Sequence, residues 1–485
     1  MNHPGDIKKD DPANQDESHI LNEHYDINRI IPASGKKLLP LSFAQQRIWL
    51  QEQLLPETPN NICGTVLIKG NVKIDALQRV LDTIVERHEI LRTTYSVVKG
   101  EPFQTVNPPR PVMIIHNDLR NCPEDERDLV IRHYIDDESG KLFDLSRDLM
   151  LRPVLIRLTD TEYVFLIIMH YISADNSSIK IFFKELSVLY GSFDEDRPSP
   201  LNTLPVQYAD FACWKRRRMS DDVLQSMLSY WQKHLEGSPS LLELPACKPR
   251  PSVQNLKAAG HTVVLPADLV TSLKYLCEQE CVSMFVMLMA AFKTLLFRYT
   301  GQGDLCVGTF TANREWPETK GLIGFFVNAL VLRTDISDGP GFRTLLKREI
   351  EVARGAFAHY DMPFEKLVEV LNPQRDTGHT PLFQVAMVLE ESETMAYELP
   401  AVKFQLLGSE TSVSLYDLLL VASDSEGEMR LSFIYRDDIF DATTIQNMAG
   451  NFRTLLQGIV SDPDDSVLTL PILSGAEMEK IIVEW

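Results

Sequence analysis

Residues 164–183 restrict the possible folds more than any other stretch of the chain. Val164-Phe165-Leu166-Ile167-Ile168 leads through Met169, His170 and Tyr171 to Asp175-Asn176-Ser177-Ser178, and then to Ile179-Lys180-Ile181-Phe182-Phe183. A short apolar run followed by helix-capping residue types reads as a buried strand, a tight connection and a helix. Polar groups at the end of such a strand sit on rigid backbone and are aimed into the cleft beyond, where catalytic side chains are commonly placed. His170, Tyr171 and Asp175 are therefore the first candidates for chemistry. Each also has a plainer reading, as a core histidine, a strand aromatic and a helix cap.

The rest of the chain repeats this grammar. Globular sequence starts near Leu38, after a polar stretch, 1–37, that reads as a flexible leader or docking segment. A helix opens at Ser42, and extended segments are expected at 65–68, 91–97, 112–116, 151–158 and 163–170. Helices are expected at 74–87, about 124–134 and after Asp175. A further amphipathic helix fits 218–236, and the Pro- and Ser-bearing 237–257 reads as a linker. Helices near 267–280, 283–299 and 441–458 then alternate with strands near 304–311, 326–334, 382–390, 403–407, 414–422 and 429–436. The expected architecture is mixed α/β in two lobes with a cleft between them: an N-terminal lobe at 38–217, a connecting helix and linker at 218–262, a C-terminal lobe at 263–470 and an outgoing segment at 471–485.

Composition narrows the function. At 485 residues the chain exceeds one ordinary core. A formal charge of −20 speaks against a nucleic-acid groove. Apolar runs such as 285–292 fall far short of the roughly 20 residues that span a bilayer, and the polar start carries no signal peptide, so a cytoplasmic protein without membrane contact is expected. Seven scattered cysteines suit a reducing compartment. Cys277 and Cys281 could form half a metal site, but no second pair supports it, and buried thiols with no metal are the better expectation.

Several spaced motifs resemble a known family. Ser42-Phe43-Ala44-Gln45-Gln46-Arg47-Ile48-Trp49, Arg87-His88-Glu89-Ile90-Leu91-Arg92-Thr93-Thr94-Tyr95, Met169 to Asp175, Tyr208-Ala209-Asp210-Phe211-Ala212-Cys213-Trp214, Ile323 to Asn328, His359 to Glu365, and Arg375-Asp376 with Pro381-Leu382 follow the order found in condensation domains of nonribosomal peptide synthetases. Each motif alone has a structural reading: helix caps, a surface ion-pair cluster at 87–92, or aromatic packing. Together they cover 38 to about 470. The resemblance implies two chloramphenicol acetyltransferase-like lobes in a V-shaped pair with a central tunnel. An upstream donor carrier protein and a downstream acceptor carrier protein would present thioesters on phosphopantetheine arms, with no intrinsic cofactor. The segment 468–485 looks like a junction to a following adenylation domain, and a starter-type role that acylates the first amino acid is one option.

The resemblance also exposes a departure. With His170 on the first histidine of His-His-x-x-x-Asp-Gly, Asp175 falls on the aspartate, Tyr171 takes the second, catalytic histidine position and Asn176 the glycine. A phenol with a reference pKa near 10 is a poor base at neutral pH. His170 should point to the opposite face and cannot substitute. Asp175 is expected to fix the loop, with Arg314 as its partner. Asn176 fits if its backbone is left-handed. Asn176, Ser178, Asn328 and Arg314 are the substrate-side candidates, and Arg47, Arg92 and Trp214 the structural ones. Three readings of Tyr171 follow: slower condensation that relies on proximity, a degenerate module that binds carriers or recruits another enzyme, or a histidine replaced by design. A coenzyme A acetyltransferase is the runner-up of another class. A heterocyclisation domain would carry Asp at position 170, and an epimerisation domain would keep both histidines.

Overall fold

The computed structural model describes residues 29–33, 38–219, 221–373, 376–391, 396–399, 402–410, 413–425, 427–475 and 477–479. Most of the leader, Arg375 and the final Val483-Glu484-Trp485 therefore lie outside the described residues.

Strand Glu162–His170 sits inside a six-stranded sheet, antiparallel to Asn61–Gly70 on one side and to Leu151–Arg157 on the other. Its alternate residues serve two cores. Tyr163, Phe165, Ile167 and Met169 pack with Phe182 and Leu186 of helix Asn176–Phe193 and with Leu77 and Ile84 of helix Ile74–Arg87. Val164, Leu166 and Ile168 leave the other face and meet Ile135 and Phe143. Both faces are covered, so the strand is apolar without alternation. Each such side chain contributes about 1.5–3 kcal/mol by leaving water.

The second half builds its own six-stranded sheet, in the order Asn328–Asp335, Asp304–Thr311, Val385–Glu391, Leu418–Ser425, Glu428–Arg436, Ala258–Leu265. Helix Met284–Thr300 is buried from Val286 to Phe297, which accounts for its apolar character on every side. One charge lies within that buried stretch. Lys293 and Glu349 are both 0% exposed, with Nζ 2.8 and 2.9 Å from the two carboxylate oxygens and 2.8 Å from Thr334 Oγ1. Among the described residues no single helix is long and apolar enough to cross a membrane.

The structure departs from the sequence reading in several places. Strand Val402–Glu410, which the sequence reading counts in the 263–470 lobe, pairs antiparallel with Asn61–Gly70 and so completes the first-half sheet, with Ala396–Glu398 outside it. Backbone hydrogen bonding rather than sequence proximity decides its partner. The helix expected at 218–236 is Asp221–Leu235, and a separate helix, Tyr208–Arg218, precedes it, with Met219 leaving helical dihedrals at its end. Strand Ile115–Asp118 starts later than the expected 112–116. Helices Phe342–Ala358 and Phe364–Leu371 occupy a stretch the sequence reading left unassigned. Cys277 is buried, but Cys281 is exposed at a left-handed helix cap with φ 53°, so the pair is not two buried thiols.

Candidate active site

Strand Glu162–His170 ends at the seam between the two halves, and its last residues diverge. His170 is 1% exposed. Its Nδ1 accepts the Ile172 N–H at 3.1 Å, which leaves the proton on Nε2, and that nitrogen donates to Glu52 Oε1 at 3.0 Å. Phe143 packs edge-on against the ring, with centroids 6.0 Å apart. With both nitrogens engaged the imidazole cannot take a proton from a substrate without breaking this arrangement. Glu52, from helix Phe43–Leu54, was not singled out from sequence, because nothing local links it to position 170.

Tyr171 leaves the opposite face. Its N–H donates to the Asn60 carbonyl at 2.9 Å, and its ring meets Phe325 of the second half edge-on at 6.3 Å. Burial, and then the negative charges of Asp175 and Glu390, push its phenol well above the usual tyrosine range. Tyr171 is therefore a protonated phenol at neutral pH, able to donate or weakly accept a hydrogen bond but not to act as a base. Among the described residues its hydroxyl has no hydrogen-bond partner.

Asp175 locks the connection. It caps helix Asn176–Phe193 by accepting the Ser178 N–H at 2.8 Å. Arg314 Nη2 donates to its two oxygens at 3.0 and 3.2 Å, and the Phe326 N–H reaches Oδ2 at 3.2 Å. Ser178 Oγ donates to Asp175 Oδ1 at 2.8 Å and accepts the Gly324 N–H at 3.1 Å. Arg314 also donates to the Thr319 and Leu322 carbonyls and stacks over Phe326 at 4.1 Å. This buried latch binds the end of a first-half strand to segment 314–326 of the second half.

Other motif residues converge on the same segment. Tyr208 donates to the Phe325 carbonyl at 2.5 Å, and its hydroxyl lies 2.9 Å from Ser42 Oγ. A Cβ at Gly324 would stand 2.0 Å from Tyr208 Cδ2, so only glycine fits that approach. Arg47 pairs with Glu365 at 3.2 Å between the rings of Phe325 and Phe364. Lys215 and Arg218 both pair with Asp361. Trp214 packs edge-on against Trp316 at 5.0 Å.

These contacts overturn four expectations. Ser178 is 0% exposed inside the latch and does not face a substrate. Asn328 uses its amide to hold the Tyr360 and Met362 carbonyls and the Phe364 N–H, so it positions a loop rather than a ligand. Asn176 is the first residue of its helix and is not among the residues of positive φ, so no left-handed backbone is needed. The 87–92 cluster is not a surface network: Arg87 and His88 share the buried Glu185, both at 2.9 Å, and burial lowers the His88 pKa. Arg92 bonds mainly to the carbonyls of Val85 and Asn107.

A family profile described as Condensation domain matches residues 36–482. The chain belongs to the condensation-domain family. Two relatives of this condensation domain are linear gramicidin synthase subunits B and C of Brevibacillus parabrevis, 40% and 38% identical over 461 and 459 residues, each match covering 94% of this chain. The chain spans only 9% and 6% of the lengths of those relatives. Among solved structures, the X-domain from teicoplanin biosynthesis superposes with a TM-score of 0.84 at 27% identity, over 92% of this chain and 100% of that one. The first condensation domain of the calcium-dependent antibiotic synthetase superposes at 0.77 with 18% identity, over 90% and 99% of the two chains, a likeness of fold alone. The condensation domain thus has the two-lobe, chloramphenicol acetyltransferase-like fold, with the latch at the seam.

Proposed function

We propose that this condensation domain forms an amide between a carrier-bound acyl or peptidyl thioester and the amine of a carrier-bound aminoacyl group within a nonribosomal peptide synthetase. The observation that carries the reading is the intact latch of Asp175, Ser178 and Arg314, which holds the end of strand Glu162–His170, and Tyr171 with it, rigidly at the seam. Donor and acceptor carriers approach from upstream and downstream modules, an adenylation domain follows covalently, and the phosphopantetheine arms are part of the substrates. No cofactor is required, since a deprotonated amine attacks a thioester unaided once the two are placed. Placement alone lowers the barrier by several kcal/mol, up to about 7–11 in well-oriented cases. A positioned base adds typically about 10²–10⁴-fold. Tyr171 cannot supply it, so the hydroxyl orients the amine or donates to the developing oxyanion, and the rate rests on proximity.

A second reading is favoured by one specific observation: both side chains at the strand end are unsuited to proton transfer, His170 by its bonds and Tyr171 by its raised pKa. The domain would then bind carriers or recruit another enzyme without forming a bond. One similar structure is a complex of the teicoplanin X-domain with OxyB, which supports that alternative. The test is to load acyl donor and aminoacyl acceptor on their carriers and measure amide by mass spectrometry with the native chain and with Tyr171→His. Amide from the native chain supports condensation. Amide from the histidine form alone, or from neither, overturns it in favour of the recruiting module.

A further inference from the structure

The two positions at which the motif departs from its family, Tyr171 and Asn176, share a neighbour. Asn176 Nδ2 donates to Glu390 Oε1 at 3.2 Å, across the seam between helix Asn176–Phe193 and strand Val385–Glu391. Glu390 is exposed, and among the described residues it has no ion-pair partner. Two other carboxylates near the strand end are occupied, Asp175 by Arg314 and Glu52 by His170. An unneutralised carboxylate held in place by an amide is a receptor for a cation. Its charge reaches Tyr171, whose phenol it helps to raise.

A third group lies on the same sheet face as Tyr171. Asn61 pairs with His170 in the ladder, and the bond from Tyr171 N–H to the Asn60 carbonyl continues that register by one residue, so Asn60 and Tyr171 leave the same face of the sheet. Asn60 is 7% exposed, and its Nδ2 is buried without a hydrogen-bond partner. A buried unpaired donor is costly unless a ligand satisfies it. Tyr171 thus has the Asn60 amide donor on its own sheet face and the charge of Glu390 within reach across the seam, a set of groups that matches an α-ammonium beside a carbonyl.

We infer that Glu390, positioned by Asn176, receives the α-ammonium of the acceptor aminoacyl group beside Tyr171. This rests on the amide-forming reading for its biological meaning, but binding tests it separately. The probes are the amide isosteres of glycyl-pantetheine and acetyl-pantetheine, which differ only in the ammonium. Titrated calorimetrically into the native chain, the glycyl probe should bind about 3–10-fold tighter, the range for one partly solvated charge pair. Glu390→Gln should abolish that preference while leaving acetyl-probe affinity unchanged, and Asn176→Ala should reduce it. Equal binding of the two probes by the native chain, undetectable binding of both included, overturns the inference, as does a preference that survives Glu390→Gln. A preserved preference with no amide from loaded carriers would leave Glu390 as the ammonium receptor and refute condensation instead. Amide formation without any preference would refute Glu390 alone.

Discussion

Replacing Asp175 by alanine should release the motif loop from the second half. The carboxylate is 2% exposed and accepts from the Ser178 N–H, Ser178 Oγ, Arg314 Nη2 and the Phe326 N–H. Losing the cap costs about 1 kcal/mol. Leaving Arg314 buried without its counter-charge costs about 3–5 kcal/mol in general, and the lower end applies because the Thr319, Leu322 and Gly324 carbonyls still accept from it. The expected total is about 4 kcal/mol. Asp175→Asn keeps the cap and should cost about 2 kcal/mol. Arg314→Met leaves the carboxylate with three donors and should cost a similar amount. Because the two groups touch, the double variant Asp175→Asn with Arg314→Met should recover at least about 1 kcal/mol relative to the sum of the single losses. Urea unfolding gives the global values, and amide hydrogen exchange at Ser178 and Phe326 reads the latch directly. Unchanged protection at Phe326 in Asp175→Ala, or strictly additive losses in the double variant, would refute this account.

Three further outcomes are expected. Lys293→Met should destabilise the second half by about 3–5 kcal/mol by stranding Glu349, and combining it with Glu349→Leu should restore most of that loss in urea unfolding. His234 is held down to about 4 by burial, with Lys293 and Arg333 adding to the effect. Its folded pKa lies below the ordinary 6.5, so its neutral form stabilises the protein above that pH. The contribution, about 1–2 kcal/mol after allowance for partial exposure, is lost as pH falls from 6.5 towards 4, and His234→Gln should flatten this part of the stability profile. The Tyr171 phenol stays protonated from pH 6 to 9, so native amide formation should show no step from it, whereas Tyr171→His should introduce a rise near pH 6.5 in the rate profile.

The sequence disclosed the strand at 162–170 and its capped helix because both signals are local: an apolar run, then Asp175 at the N-cap. Period-two geometry also separated His170 from Tyr171, and they do face different cores. What sequence did not disclose is set by distant contacts. Glu52, Glu185, Asn60 and Glu390 have ordinary neighbours in the chain and acquire meaning only through distant partners, from the 97-residue separation of His88 and Glu185 to the 214-residue separation of Asn176 and Glu390. Ser178 and Asn328 carry groups typical of substrate contacts, yet the Asp175 carboxylate and buried backbone groups claim them first. Strand 402–410 was visible as a strand, but alternation fixes a face and not a neighbour.

That strand also bears on how the protein comes off the ribosome. Gly70 pairs with Val402, more than three hundred positions later. At about 5–20 residues per second, the first-half sheet waits roughly ten to fifty seconds after strand Glu162–His170 is made before its neighbour is synthesised. Throughout that interval Asn61–Gly70 presents an uncovered edge, apolar over Val66–Ile68, of the kind that recruits other chains. Expression of residues 38–262 alone would make this interval permanent, so the first half should require the second to remain unaggregated.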